Sequence, residues 1–204
     1  MTVRLAARDL ACSRGPATLF RDVSFELSAG EWLAVRGPNG SGKTTLLRCV
    51  AGLTRVDRGQ VLWDGEAAAG SRFHASLLYA GHLPGIKDDL SAEENLQSAL
   101  GLRAVPVTEA AIRGALAEVG LEKRRRLPAR RLSAGQRRRI GLARLMLDPA
   151  RFWALDEPLT ALDDEGQRLF ERLLDRHLAS GGLALLATHH DLAPAPARVL
   201  RIGA

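Results

Sequence analysis

Cysteine is almost absent from this chain of 204 residues: Cys12 and Cys49 are the only two. They form no CxxC pair and no CxxCH haem-attachment site, so the expectation is two buried, reduced thiols in a cytosolic protein. Long apolar runs are missing too. Arg4 and Arg8-Asp9 interrupt any N-terminal leader. No stretch approaches the roughly 20 apolar residues of a membrane-spanning helix. The chain is therefore expected to be soluble, or peripheral to a membrane. Lysine is scarce as well, with Lys43, Lys87 and Lys123 alone, so arginine carries nearly all of the net charge of +6. That charge is spread along the chain. It permits contact with anionic partners but marks out no nucleic-acid-binding tail. Repeats and low-complexity tracts are also lacking. What is present is 46% apolar residues, enough for the core of one compact domain with room for a subdomain.

Alternating apolar residues predict strands over 2–10 and 17–27, joined by a Gly15-Pro16 turn. A short strand over Glu31–Arg36 runs into GPNGSGKTTLLRCVAGL, whose tail is helical and stops at Gly52. Further strands are predicted at 59–65, ending in an Asp-Gly turn, and at Leu77–Ala80. Ser91-x-x-Glu94 has the form of a capping box and opens a helix. A second helix covers 108–119 and stops at Gly120. After the linker LPARRL, Ser133-x-x-Gln136 caps a third that ends before Asp148-Pro149. The strand RFWALDEP, a helix over 163–179, a Gly181-Gly182 break and the strand LALLAT complete the chain. Strands alternating with helices at both ends predict an α/β core with a mainly parallel sheet. A small antiparallel β layer stands at the N-terminus, and a helical subdomain is inserted over about 88–147. The core then comprises about 1–87 and 148–204.

Three segments carry chemistry. Gly37, Pro38, Asn39, Gly40, Ser41, Gly42, Lys43, Thr44 and Thr45 form a P-loop with a strand before it and a helix after it. Glycines let backbone N–H groups curl around phosphate oxygens, and the helix adds its positive end. Lys43 supplies a point charge for the β- and γ-phosphates of a nucleotide, and the Thr44 hydroxyl is placed for Mg²⁺. Next, an apolar strand delivers Asp156 and Glu157 at its C-terminal end, where α/β proteins bind ligands. Asp156 suits Mg²⁺, and Glu157 is placed to polarise an attacking water. The third segment is LSAGQRRRIGLARLML. Ser133 caps its helix, whose N-terminal dipole can face a phosphate.

With this third segment the chain resembles the ABC ATPases, whose signature is usually LSGGQ; Ala134 stands in for a glycine. The resemblance spans nearly the whole chain and implies the ABC ATPase fold. It implies that Ser133, Ala134, Gly135 and Gln136 serve the nucleotide on a second copy of the chain, in a head-to-tail ATP-sandwich dimer. Ala161-Leu162-Asp163 resembles the D-loop that crosses the dimer interface. His189, after the strand that ends in Ala187-Thr188, corresponds to the histidine that senses the γ-phosphate. His190 is read as its solvent-facing neighbour, and His74 and His177 as structural or exposed. Two positions depart from the family. Where an aromatic residue usually stacks on adenine the chain offers Arg14, which either stacks through its guanidinium plane or is a surface charge. Where a glutamine usually links Mg²⁺, attacking water and membrane partner, it offers His82, which can also donate or accept a hydrogen bond.

The loop around His82 lies between the core and the helical subdomain, the place of a hinge that reports nucleotide state to a partner. Its wording, YAGHLPGIKDDLSAEENL, with Gly30-Glu31-Trp32 before the P-loop and Gly59-x-Val61-Leu62-Trp63 after it, resembles the ATPase subunit of the haem exporter of c-type cytochrome maturation. That resemblance implies integral membrane partners and a peripheral place on the cytoplasmic face of the inner membrane. The chain shows no haem ligand set of its own, so no directly bound haem is expected. An ATPase for another small exporter is the alternative within the class. A nucleic-acid-associated ABC ATPase could use the Lys123–Arg131 run on phosphates. However, the chain between Lys43 and Asp156 is too short for a coiled-coil insertion and there is no second ATPase half, so no nucleic-acid partner is expected. Glu157 and His189 together disfavour a non-catalytic nucleotide-binding module.

Overall fold

The computed structural model of the chain describes residues 3–81 and 85–203; His82 and Pro84 lie outside the described residues. In chain order the elements are β1 (Val3–Arg14), β2 (Ala17–Ser28), β3 (Trp32–Arg36), α1 (Lys43–Val50), β4 (Arg58–Trp63), β5 (Glu66–Ala67), α2 (Gly70–Ser76) and β6 (Leu77–Ala80). Then come α3 (Ala92–Gly101), α4 (Glu109–Glu118), α5 (Ala134–Leu147), β7 (Phe152–Asp156), α6 (Asp164–Ala179), β8 (Leu183–Ala187) and β9 (Arg198–Arg201). Two compact units share them. Residues 3–81, 150–158 and 175–203 belong to the first, and 85–149 and 159–174 to the second.

The first unit holds both sheets. One is antiparallel, in the order β2-β1-β4-β5; the other has the order β6-β7-β8-β3-β9, and every neighbouring pair in it is parallel. Strands β3, β7 and β8 are apolar along nearly their whole length because both faces of a covered parallel sheet are buried. In β2 only every second or third side chain is buried, Phe20, Val23, Phe25 and Leu27 pointing inward. Opposite them on β1 are Leu5, Ala7, Leu10 and Cys12, and the core between the two sheets is completed by Leu46, Leu47, Cys49 and Val50 of α1. The register places Asp156 beside Ala187 and Ala187 beside Val35, so the loops after β3, β7 and β8 leave the sheet at one edge and one level.

The second unit is helical. Ser91 Oγ accepts from Glu94 N while Glu94 Oε2 accepts from Ser91 N, at 3.2 and 2.7 Å, so the capping box at α3 forms. The same reciprocal pair joins Ser133 and Gln136 at α5, at 3.1 and 3.2 Å. The segment after Gly85 is pinned within this unit. Asn95, which is buried, bonds both backbone groups of Lys87, Ala129 N donates to Leu90 O, and Arg130 N donates to Asp88 O. Three elements have no counterpart in the sequence-based expectation. β5 has two residues, α2 is a single short helix without a side-chain cap, and β9 is an edge strand whose RVLR pattern is mostly exposed.

Candidate functional site

In the first unit, β3 delivers the chain to Gly37 and α1 carries it away from Gly42. Gly42 is the N-terminal boundary residue of α1, with φ +98°, a backbone that residues with a Cβ rarely adopt. A Cβ there would also meet Cβ of Leu19 at 3.1 Å, which places the antiparallel layer directly against the loop. Lys43 is buried, and its Nζ donates to the carbonyls of Gly37 (2.8 Å) and Pro38 (3.1 Å). The loop's own carbonyls thus hold an ammonium group at its centre. The hydroxyl of Thr44 donates to Oδ2 of Asp156 at 2.6 Å. Asp156 is buried at the end of β7, so a hydroxyl on the first turn of α1 and a strand-end carboxylate 112 positions apart meet at one point. These two hard oxygen donors suit a divalent cation such as Mg²⁺, which binds through few protein ligands and retains water.

Glu157 follows at φ +50°, a strained conformation for a residue with a Cβ, fixed by its backbone N–H donating to Ala187 O at 2.9 Å. His189 Nε2 lies 3.4 Å from Glu157 Oε1. Thr188 is fully buried, and its Oγ1 accepts from His190 N at 3.1 Å, which fixes the turn that presents His189. His190 is exposed, and Arg36 donates to its carbonyl, bracing the same turn. Arg14 ends β1 with an exposed side chain. The structure therefore brings together Lys43, Thr44, Asp156, Glu157 and His189 from three strand ends.

The signature residues lie in the second unit, where all but Ala134 line a pocket of about 280 Å³. Ser133, Gly135 and Gln136 form one wall, and Ala161 and Asp163 another. Gly135 sits so close to the second wall that a Cβ on it would lie 2.9 Å from the Ala161 carbonyl oxygen. Ala161 has φ +63°. The Asp163 carboxylate accepts from Gly166 N at 3.0 Å, which caps α6, and from Arg139 at 2.8 and 3.0 Å. The Arg139 contact, followed by that of Gly166 N, holds the Asp163 carboxyl below the ordinary range. Arg139 and Thr188 were not singled out from the sequence. Thr188 ends an apolar strand like any polar residue, and Arg139 is one of three consecutive arginines.

Elsewhere, His177 stacks on Trp153 with 3.8 Å between ring centroids and 10° between planes, and burial pulls its pKa down to about 4. His74 is exposed against Phe73. Both cysteines are free and buried, and the Cys49 thiol is pushed up to about 12 by burial first and by Cys12 next to it.

A family model described as ABC transporter matches residues 20–160. The chain belongs to the ABC transporter family, and it is an ATPase of the ABC type. Within that class it is 48% identical over 200 residues to the cytochrome c biogenesis ATP-binding export protein CcmA 1 of Salmonella paratyphi A, covering 97% of this chain and 95% of that one. It is 46% identical to the protein named CcmA of Pseudomonas aeruginosa, covering 98% and 100%. Among solved structures, an ABC transporter ATP-binding protein from Pyrococcus furiosus superposes with a TM-score of 0.85 over 98% of this chain and 97% of that one. At 22% identity, that likeness speaks for the fold.

Proposed function

We propose that the chain is the ATP-hydrolysing subunit of the haem exporter of c-type cytochrome biogenesis, powering export or release of haem or of a haem-carrying chaperone. The observation that carries this is the 46–48% identity, along almost the entire chain, to proteins named for that process. In this reading Lys43 exchanges the carbonyls of Gly37 and Pro38 for the β- and γ-phosphates of ATP. Thr44 and Asp156 would hold Mg²⁺, which would offset charge on the phosphates. Glu157 orients the attacking water and accepts its proton, and His189, next to Glu157, contacts the γ-phosphate. Ser133 and Gly135 serve the nucleotide of a second copy. Membrane subunits on the cytoplasmic face engage the chain through the loop around His82, which stands in for the family's glutamine. His82→Ala should leave ATP affinity within about tenfold and reduce stimulation by those subunits.

The test is ATPase activity against protein concentration, which should rise more steeply than linearly because two chains build each site. Lys43→Ala and Ser133→Ala variants, each inactive alone, should regain activity on mixing, since a mixed dimer contains one composite site with both parts intact. Strictly proportional activity from a demonstrated monomer, or no recovery on mixing, would refute the two-chain site. The biogenesis role is tested by the membrane proteins that co-purify and by c-type cytochrome content after deletion; normal cytochrome content would refute it.

A further inference from the structure

Arg139 stands on the first turns of α5, one helical turn after Gly135. Its side chain is only 13% exposed, although its carboxylate partners are 66% and 79% exposed. One end of its guanidinium donates to both carboxylate oxygens of Asp163 and to Oε2 of Glu165 at 2.8 Å. The other end donates to the Val119 carbonyl at 3.1 Å. That carbonyl belongs to the residue that closes α4, where backbone acceptors are left over and positive charge is favoured. The two carboxylates belong to the start of α6, where negative charge is favoured. A planar guanidinium carries its donors on separate nitrogens, so Nη2 meets the carboxylates while Nη1 meets the carbonyl without the side chain having to choose.

We infer that Arg139 is a positioning residue for ATP hydrolysis. It clamps the D-loop carboxylate Asp163 and the α4 terminus to the signature helix, so that Ser133, Gly135 and Asp163 meet the partner copy's nucleotide as one rigid surface. Exposed ion pairs contribute little as a rule; a sheltered arginine that joins two carboxylates and a backbone carbonyl in one network is the exception. The close approach of Gly135 to the Ala161 carbonyl carries the same message. The two walls of the pocket are already in contact, and the clamp decides their offset. The inference rests on the proposed role of the signature in the partner's site.

The experiment compares Arg139→Gln, Arg139→Lys, Asp163→Asn and the double variant Arg139→Gln with Asp163→Asn, in the full chain. Asparagine keeps the α6 cap and removes the carboxylate charge that Arg139 engages, so Asp163→Asn carries the test if Arg139→Gln does not fold. Expected is a fall in kcat of about tenfold or more for either single variant, with KM for ATP within about threefold. The double variant should be no worse than the poorer single variant, because the two groups act as one unit. Arg139→Lys should recover only part of the rate, since an ammonium lacks the fork. Wild-type kcat in Asp163→Asn, losses that multiply in the double variant, or full recovery with lysine would each overturn the inference. Mixing Arg139→Gln with Lys43→Ala should restore activity. If the Ser133→Ala mixture recovers and this one does not, the inference fails and the two-chain site stands. If neither recovers, both fail.

Discussion

Adding one methyl group to Gly135 should do more harm than its size suggests. A Cβ there lies 2.9 Å from the backbone oxygen of Ala161, whereas a close carbon–oxygen contact is about 3.3 Å. A gap of roughly 0.4 Å must therefore open between α5 and the D-loop. Neither side yields readily. The start of α5 is held by the Ser133–Gln136 capping box, and Asp163 is held by Arg139. Ala161 already has a left-handed backbone. Overpacking of this kind costs about 1–3 kcal/mol. If the displaced D-loop expresses that cost in the transition state, kcat falls by roughly 5- to 150-fold. If the folded state bears it, Tm falls by about 2–4 °C per kcal/mol for a chain of this size. Gly141→Ala is the matched control: it lies in the same helix, and a Cβ there meets nothing within 4 Å. Replacing a mid-helix glycine by alanine at an unobstructed position should stabilise by about 0.4–1 kcal/mol and leave kcat unchanged. Steady-state ATPase and thermal unfolding of the two variants decide the matter. Wild-type kcat and Tm in Gly135→Ala would refute the reasoning, as would parallel behaviour of the two glycines.

Four further outcomes are expected. Lys43→Ala should weaken ATP binding by about 10- to 150-fold in a direct titration, corresponding to one charge-assisted hydrogen bond of about 1.5–3 kcal/mol; unchanged affinity would remove Lys43 from the site. Glu157→Gln should bind ATP normally, accumulate as an ATP-bound dimer and turn over about 10²- to 10⁴-fold more slowly; wild-type turnover would exclude Glu157 as the base. Because burial lowers the His177 pKa from 6.5 to about 4, the unfolded chain binds a proton in that window that the folded chain refuses. Its contribution is therefore undiminished above pH 6.5 and declines as pH falls to 4, by about 3 kcal/mol in all. Chemical denaturation across that range should show this slope in the wild type and lose it in His177→Phe, and equal slopes would refute the assignment. Gly85 has φ +63° with open space around it. Gly85→Val should therefore strain the backbone by about 1–2 kcal/mol and cut stimulation by the membrane partner while basal ATPase persists; full stimulation would dismiss the loop as a coupling element.

The parts of the fold that were legible in the sequence are those with local chemical causes. Ser91 with Glu94 and Ser133 with Gln136 specify helix starts because each pair satisfies its own backbone donors. Apolar runs ending in Asp156 and in Thr188-His189 mark buried parallel strands whose C-terminal ends carry polar groups. The parts that were not legible depend on distant partners. Strand β9 is defined by its pairing with β3 and by Trp32, whose Nε1 donates to Pro194 O and whose carbonyl accepts from Ala197 N. Nothing in RVLR itself announces an edge strand. Likewise the run Arg137-Arg138-Arg139 offers three equal cations. Only the folded helix shows that Arg139 turns inward to Asp163 and Val119 while Arg137 meets Asp88.

The level alignment of β3, β7 and β8 has a consequence for how such a protein can change over time. Because Asp156, Ala187 and Val35 are neighbours in one ladder, the spacing among the P-loop, the Asp156-Glu157 pair and His189 is set by peptide hydrogen bonds, which every sequence possesses. Side chains on the surface can then drift, and loops away from this edge can lengthen, without moving these groups. Inserting a single residue inside β7 would shift the acidic pair by one step and turn it to the opposite face. On the proposed reading, the groups that handle ATP are thereby insulated from the protein's exterior, and changes there leave their spacing intact.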